Sequence, residues 1–172
     1  VKKWIVVNQI NLIVHESFNH LGIPEDAVED LLSAKYQGVH NEMVASALIT
    51  KYAHAHYPDN EIGMMLCGGP SYAASSKAED VLAALKLNYF DDKGIHVTFG
   101  EDDEEALKHT ADFMSFSYYY TQICDQDSYD KDLGPHRNKE LPANPWGWTI
   151  DPIGLRILLN EFYDRYQCPI YI

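Results

Sequence analysis

Positive charge is scarce in this chain: 13 Lys and Arg stand against 26 Asp and Glu, for a formal net charge of −13. Such a balance argues against nucleic acid or an anionic membrane surface as partner, because both repel an acidic protein. Long hydrophobic runs are also missing. No uninterrupted apolar stretch approaches the ~20 residues that span a bilayer, and Val1-Lys2-Lys3 leads straight into a strand pattern without a signal-peptide cleavage site. Cysteine is sparse: Cys67, Cys124 and Cys168 are odd in number and far apart. They read as free thiols in a reducing cytoplasm rather than a disulfide framework, so a cytoplasmic location is expected. The eight histidines form no ligand pattern. His54 and His56, two apart on a helix, point to different sides, so no metal is expected. Gly68-Gly69-Pro70-Ser71 lacks the lysine of a phosphate loop, and no cofactor is expected either. No internal repeat or low-complexity tract occurs.

What is present is alternation. With 172 residues, 46% of them hydrophobic, the chain is long enough to bury one core and reads as a single domain, 1–172. Trp4 to Val7 is an apolar, β-branched strand. Glu25 to Gln37 and Asn41 to Tyr57 read as helices. The second carries Val44, Ala47, Leu48, Tyr52 and Ala55 on one face. Pro58-Asp59-Asn60 breaks it before the strand Glu61 to Leu66, which Gly68-Gly69-Pro70 ends. Lys77 to Leu87 is a short helix. Ile95 to Phe99 fits a short strand or an extended connection, and Glu101 to Lys108 a helical turn with acids near its start. Ala111 to Ser117 is a third strand, Gln122 to Asn144 a polar surface loop. Asp151-Pro152 opens a helix striped with Leu155, Leu158, Leu159, Phe162 and Tyr166, and Pro169 to Ile172 is the last strand. Strands alternating with helices predict an α/β fold with a parallel sheet and right-handed crossovers.

The chemistry concentrates at the end of the first strand, where Trp4-Ile5-Val6-Val7 runs into Asn8-Gln9-Ile10-Asn11. A buried strand delivering polar groups at its C-terminal end is how a β/α barrel builds its active face. The segment resembles the fourth-strand signature of family-1 glycoside hydrolases, W-I-T-x-N-E. Five further stretches fall in the family's order. His40-Asn41-Glu42-Met43-Val44-Ala45-Ser46-Ala47 resembles its fourth barrel helix, and Met64-Met65-Leu66-Cys67-Gly68-Gly69 its fifth strand. Asp112-Phe113-Met114-Ser115-Phe116-Ser117-Tyr118-Tyr119 is similar to strand six of the 6-phospho-β-glucosidase branch. Asn144-Pro145-Trp146-Gly147-Trp148 with Ile150-Asp151-Pro152 resembles the loop and helix before strand seven, and Cys168-Pro169-Ile170-Tyr171-Ile172 strand seven itself.

The resemblance implies a partial (β/α)8 barrel, family strands four to seven, with about four parallel strands and flanking helices. A complete barrel takes roughly 250 residues, and a start without Met together with an end at Ile172 reads as a fragment of a longer glycosidase. The resemblance also implies a retaining β-glycosidase acting on 6-phospho-β-glucosides in carbohydrate breakdown. In that reading Asn8 contacts the sugar 2-hydroxyl, Gln9 occupies the acid/base position, Tyr119 tunes the nucleophile and Trp146 stacks on the aglycone. Trp4, Trp148, Tyr118 and Tyr120 read as core or wall, and Glu16 and Asn19 as residues near a pocket rim. Between Lys86 and Gly94 the sequence is shorter than the family pattern.

Gln9 is the main departure. A retaining glycosidase uses two carboxyl groups about 5 Å apart, one nucleophilic and one alternating between acid and base. An amide cannot protonate a leaving oxygen. An engineered trap, a natural degeneration and a site for substrates whose leaving group needs no proton all remain open. The nucleophile motif of the family falls beyond Ile172, as do the residues that read the 6-phosphate, so the chain alone is expected to be inactive. The alternative is a non-catalytic remnant or engineered fragment with a structural, self-associating or weak sugar-binding role. Exposed barrel edges lead to the expectation of a homo-oligomer.

Overall fold

The structure, a computed structural model, describes residues 1–13, 21–88 and 95–172. Glu16, Asn19 and most of the shortened stretch after Lys86 lie outside these. The first half of the chain forms β1 (Lys3–Asn8), a 3-10 turn (Ile10–Leu12), α1 (Leu31–His56), β2 (Glu61–Gly68), β3 (Ser71–Ala73) and α2 (Ala78–Asn88). The second half forms α3 (Asp103–Ala106), β4 (Phe113–Tyr118), β5 (Gln122–Cys124), α4 (Gln126–Asp130), β6 (His136–Arg137), α5 (Pro152–Tyr166) and β7 (Ile170–Tyr171). Two compact units result, each built from separate stretches of sequence.

The first unit comprises Val1–Cys67, Gly94–Ser117 and Gln167–Ile172. Its centre is a four-stranded sheet in the order β1-β2-β4-β7. β1 pairs with β2 in parallel from Lys3↔Glu61 to Asn8↔Met65, with a bulge between Ile5 and Val7. The Asp112 N–H, just before β4, donates to the Ile62 carbonyl near the start of β2 (2.7 Å), so these strands also begin at the same end. β4 pairs in parallel with β7, Met114↔Ile170 and Ser115↔Tyr171. Gly63 lets the strands interlock, because a Cβ there would lie 2.3 Å from the Phe113 ring. Phe113 fills that space and meets Tyr171 edge-on at 5.1 Å. The Lys3 ammonium, paired with Glu61, sits 5.6 Å from the Phe113 ring centre and 5.0 Å from that of Tyr171.

Where the sequence pattern predicts two helices, Glu25–Gln37 and Asn41–Tyr57, one helix of 26 residues forms. It starts at Asp30, whose carboxylate caps the Ser33 N–H at 3.0 Å. Gly38, although worth about 1 kcal/mol against a helix interior, is tolerated because the Leu21 side chain occupies the position of its missing Cβ, 2.8 Å away. Two residues on, buried His40 meets Asp103 at 2.6 Å and stacks on Phe99, which anchors the helix through its middle. Ile95 to Phe99 is the extended connection and not a strand. Its backbone bonds to α1 side chains instead of a ladder: Thr98 N–H donates to Gln37 Oε1 at 2.7 Å and His96 N–H to Ser33 Oγ at 3.1 Å.

The second unit comprises Gly68–Lys93 and Tyr118–Tyr166. Here the expectation of a surface loop over Gln122 to Asn144 is corrected. The segment contains β5, α4 and β6, and a second sheet runs in the order β3-β5-β6. β5 lies parallel to β3 and antiparallel to β6. Strands of two or three residues have no readable alternation. They exist because Cys124 is buried against Ala83 and Ala84 of α2, with Ala73 and Tyr129 around them. The α5 start is as expected: Asp151 Oδ1 accepts the Gly154 N–H at 2.9 Å, one residue past Pro152 and Ile153.

Candidate functional site

In the first unit the polar end of β1 is held in an unusual backbone state. Asn8 is the last residue of the strand and is exposed. Gln9 then turns into the left-handed region, with φ 53° and ψ 33°, a conformation costing a non-glycine residue roughly 1–2 kcal/mol. Three contacts hold it there. The Gln9 N–H donates to the Met65 carbonyl at 2.7 Å, and its own carbonyl accepts the Leu12 N–H at 2.9 Å. Asn11 then reaches back to β2: its Nδ2 donates to the Cys67 carbonyl at 2.7 Å and its Oδ1 accepts the Cys67 N–H at 2.9 Å. A side-chain amide thus continues the ladder after the backbone of β1 has turned away. Strain at a strand end, stabilised by its surroundings, is a mark of functional positions. Asn8, with Val6, Val7 and the α1 residues Glu42, Ala45, Ser46 and Ile49, lines a cleft of about 340 Å3.

In the second unit, Tyr119 follows β4 and packs on Trp148, ring centres 5.6 Å apart. Trp148 also meets Tyr120 at 5.5 Å and Trp146 at 5.8 Å. Trp146 is 78% exposed and Trp148 41%, so of the two readings, core or wall, Trp148 does not take the first. The two indoles are presented by a turn built on Asn144. Its Oδ1 accepts the N–H groups of both Trp146 and Trp148 at 3.0 Å, and its carbonyl accepts the Gly147 N–H at 2.9 Å. Gly147 has φ 83°, which only glycine adopts without cost. An exposed aromatic cluster offers ring faces to sugar C–H groups while hydroxyls stay hydrated.

Asp151 anchors the same unit. Its Oδ2 accepts the hydroxyls of Thr121 (2.8 Å) and Tyr72 (3.0 Å), and its backbone carbonyl accepts the Tyr118 hydroxyl at 2.5 Å. Burial pushes the Asp151 carboxyl up, but hydrogen bonds from Gly154 N–H, Thr121 and Tyr72 outweigh it and hold the carboxyl below the usual range. Burial, with the Asp151 charge added, pushes the Tyr118 phenol up to about 12. Tyr118 is half-buried, whereas Trp4 on β1 is 48% exposed. Neither Asn11 nor the Asp151 cluster was singled out in the sequence as a site element. The only sign of the first is an amide three residues past a strand end. Among the described residues no three His, Cys, Asp or Glu side chains gather to hold a metal, and no helix is long and apolar enough to cross a membrane.

Comparison with known proteins agrees with this architecture. The chain is 38% identical to the 6-phospho-beta-glucosidase AscB of Escherichia coli, over all of its own length and 42% of that protein. It is likewise 38% identical to the aryl-phospho-beta-D-glucosidase BglH of Bacillus subtilis, of which it covers 43%. Among solved structures, the family 1 β-glucosidase from Thermotoga maritima superposes with a TM-score of 0.77 at 24% identity, covering the whole chain and 43% of that structure. The chain thus spans less than half the length of these relatives, and its β1-β2-β4-β7 sheet with α1 is part of their β/α barrel. The alignment with AscB takes 199 positions to cover 172 residues. The family model described as Glycosyl hydrolase family 1 matches residues 1–91 and 85–172, two segments that overlap over 85–91 and together span the chain. These 172 residues belong to glycosyl hydrolase family 1.

Proposed function

We propose that this chain carries part of the sugar site of a retaining β-glycosidase for 6-phospho-β-glucosides, and that with Gln at position 9 it binds such sugars without hydrolysing them. The observation that carries the reading is Gln9 itself, fixed in the left-handed conformation at the C-terminal end of a barrel strand. Barrel enzymes collect their catalytic groups at that end. In this reading Asn8 hydrogen-bonds the 2-hydroxyl, the Gln9 amide occupies the place of the acid, Tyr119 faces the nucleophile and Trp146 stacks on the aglycone. Support for a phosphorylated substrate comes from the names of the relatives, a 6-phospho-beta-glucosidase and an aryl-phospho-beta-D-glucosidase. The compartment that goes with it is the cytoplasm, where phosphorylated sugars are retained.

General acid catalysis is worth about 10²–10⁴-fold, and an amide at position 9 forfeits it. What is left is recognition: a polar strand end and exposed indoles suited to weak sugar binding. The test is direct. Titration of the 172-residue polypeptide with methyl β-glucoside and its 6-phosphate, followed by tryptophan fluorescence and amide NMR, is expected to show saturable binding. Incubation with p-nitrophenyl 6-phospho-β-glucoside is expected to release no nitrophenol above the uncatalysed rate. Release that depends on Asn8 or Tyr119 would refute the non-catalytic reading, and absent binding would refute the sugar site.

A further inference from the structure

We infer that Asp151 is a positioning residue for the aromatic cluster: it holds the Tyr119-Tyr120 pair against the turn that carries Trp146 and Trp148, and so sets how these rings meet a sugar. The benefit to a sugar rests on the proposed function above, whereas the geometric role does not.

Asp151 grips the chain on both sides of the tyrosine pair. Its backbone carbonyl accepts the hydroxyl of Tyr118, the residue before Tyr119, at 2.5 Å. Its carboxylate Oδ2 accepts the hydroxyl of Thr121, the residue after Tyr120, at 2.8 Å. A second hydroxyl, from Tyr72 of β3, reaches the same oxygen at 3.0 Å and ties the grip to the second sheet. Glycines leave the room this takes. A Cβ on Gly154 would lie 2.4 Å from the Tyr118 hydroxyl and 2.5 Å from Thr121 Cγ2, and one on Gly69 would lie 2.9 Å from the Tyr120 carbonyl.

The tryptophan turn is joined to the same residue through the chain. Its base closes where the Ile150 N–H donates to the Pro142 carbonyl at 2.8 Å, and the Asn144 N–H donates to the Trp148 carbonyl at 2.9 Å. The next residue after Ile150 is Asp151, which Oδ1 fixes to the start of α5 through the Gly154 N–H at 2.9 Å. One side chain therefore ends the Trp turn, starts a 15-residue helix and brackets Tyr119-Tyr120. The two arms converge at Trp148, whose ring centre lies 5.6 Å from Tyr119 and 5.5 Å from Tyr120.

Burial separates the holder from what it holds. Asp151 is 8% exposed and Thr121 not at all, while Tyr119 and Trp148 are 49% and 41% exposed. Charge-assisted hydrogen bonds shielded from water are strong and directional. Rings at a binding surface contribute according to their placement, which a rigid layer beneath them maintains. Asp151 acts through Tyr118, Thr121 and its link to Trp148.

The test compares Asp151→Ala, Asp151→Asn and Thr121→Val with the parent and with Gly63→Ala, a packing change in the first unit. Each protein is titrated with methyl β-glucoside 6-phosphate at a temperature where it is fully folded, and its near-ultraviolet circular dichroism and tryptophan emission are recorded. Asp151→Ala and Thr121→Val are expected to change the aromatic spectra and weaken binding by about three- to tenfold, the worth of a well-placed aromatic contact. Asp151→Asn retains an acceptor for the Gly154 N–H, and its amide can pair with hydroxyls that rotate to accept, so it is expected to restore most of both signals. Gly63→Ala is expected to leave both unchanged. Parent-like spectra and affinity in Asp151→Ala would overturn the inference, as would a loss that Gly63→Ala reproduces. If Asp151→Ala does not fold, Thr121→Val, which removes one tether and no aromatic ring, decides by the same criteria. A parent that binds no sugar counts against the proposed function alone, because the spectra of the variants still report whether Asp151 places the rings.

Discussion

The carboxamide of Asn11 closes on both backbone groups of Cys67, donating to its carbonyl at 2.7 Å and accepting its N–H at 2.9 Å. Through this clasp the turn after β1 is registered on β2, and Gln9 between them is kept at φ 53°. A peptide-like side chain takes the place that a strand residue would otherwise fill, which allows the backbone to leave the sheet without orphaning β2.

Asn11→Ala removes both bonds. At a net worth of about 1 kcal/mol each, stability is expected to fall by about 1–2 kcal/mol, read as a lower urea midpoint with an unchanged slope. Asn11→Asp keeps the acceptor but loses the donor to the Cys67 carbonyl and is expected to fall between the two. Equal stability of all three proteins would show that the clasp contributes nothing.

Gly63 and Phe113 are a matched pair, since a Cβ on Gly63 would lie 2.3 Å from the ring. Gly63→Ala is expected to destabilise by about 1–3 kcal/mol through overpacking. Phe113→Leu alone also costs stability, by loss of ring contacts. Combined, the two are expected to cost less than their sum, a coupling that a double-mutant cycle measures. Strict additivity would contradict the packing.

Acid sensitivity follows from two carboxyls. The hydrogen bond from His40, then the Gly100 N–H, lowers the Asp103 carboxyl below its ordinary value. Asp151 is lowered by its Gly154, Thr121 and Tyr72 donors against the opposing effect of burial. A folded value below the unfolded value, about 3.9, gives stability that is present above that pH and lost as pH falls through the folded value. Unfolding midpoints are therefore expected to hold near neutrality and to drop below about pH 4. Asp151→Asn is expected to be less stable at neutral pH and flatter in acid. A variant with the same acid limb as the parent would remove Asp151 from the account.

Trp146 is 78% exposed, so Trp146→Ala is expected to leave the melting temperature within a degree or two while weakening any β-glucoside binding severalfold. Asn144→Ala releases the turn that carries both indoles. It is expected to lower binding as well, with a small loss of stability. Fluorescence titration and a thermal melt separate the two effects. Undiminished binding by both variants would take the aromatic cluster out of the site.

Much of this fold was readable from pattern because the relevant forces are local. Trp4 to Val7 is β-branched and apolar, Pro58-Asp59 stops a helix, and Asp151-Pro152 caps and starts one. Each of these uses chain neighbours within a turn or two. The motif around Asn8-Gln9 likewise carried the family, and the family carried the barrel. Other features were not readable. The stretch between Gln37 and Asn41 reads as a break between two helices, yet α1 runs through it, with Leu21 packed against Gly38 and Asp103 bonded to His40. β5 and β6 are too short for periodicity and form only against β3 and the Cys124 core.

By itself, then, the sequence determined the alternation of the main strands with helices, the membership of glycosyl hydrolase family 1 and the Asn8-Gln9 amide pair at the end of the first strand. Composition and spacing act through near neighbours, and a six-piece match in order needs no coordinates. The tertiary structure alone decided the left-handed turn at Gln9, the Asn11–Cys67 clasp that holds it and the packing of Tyr119 on Trp148. Each depends on groups brought together across tens of residues, where no local preference competes with packing and hydrogen bonding.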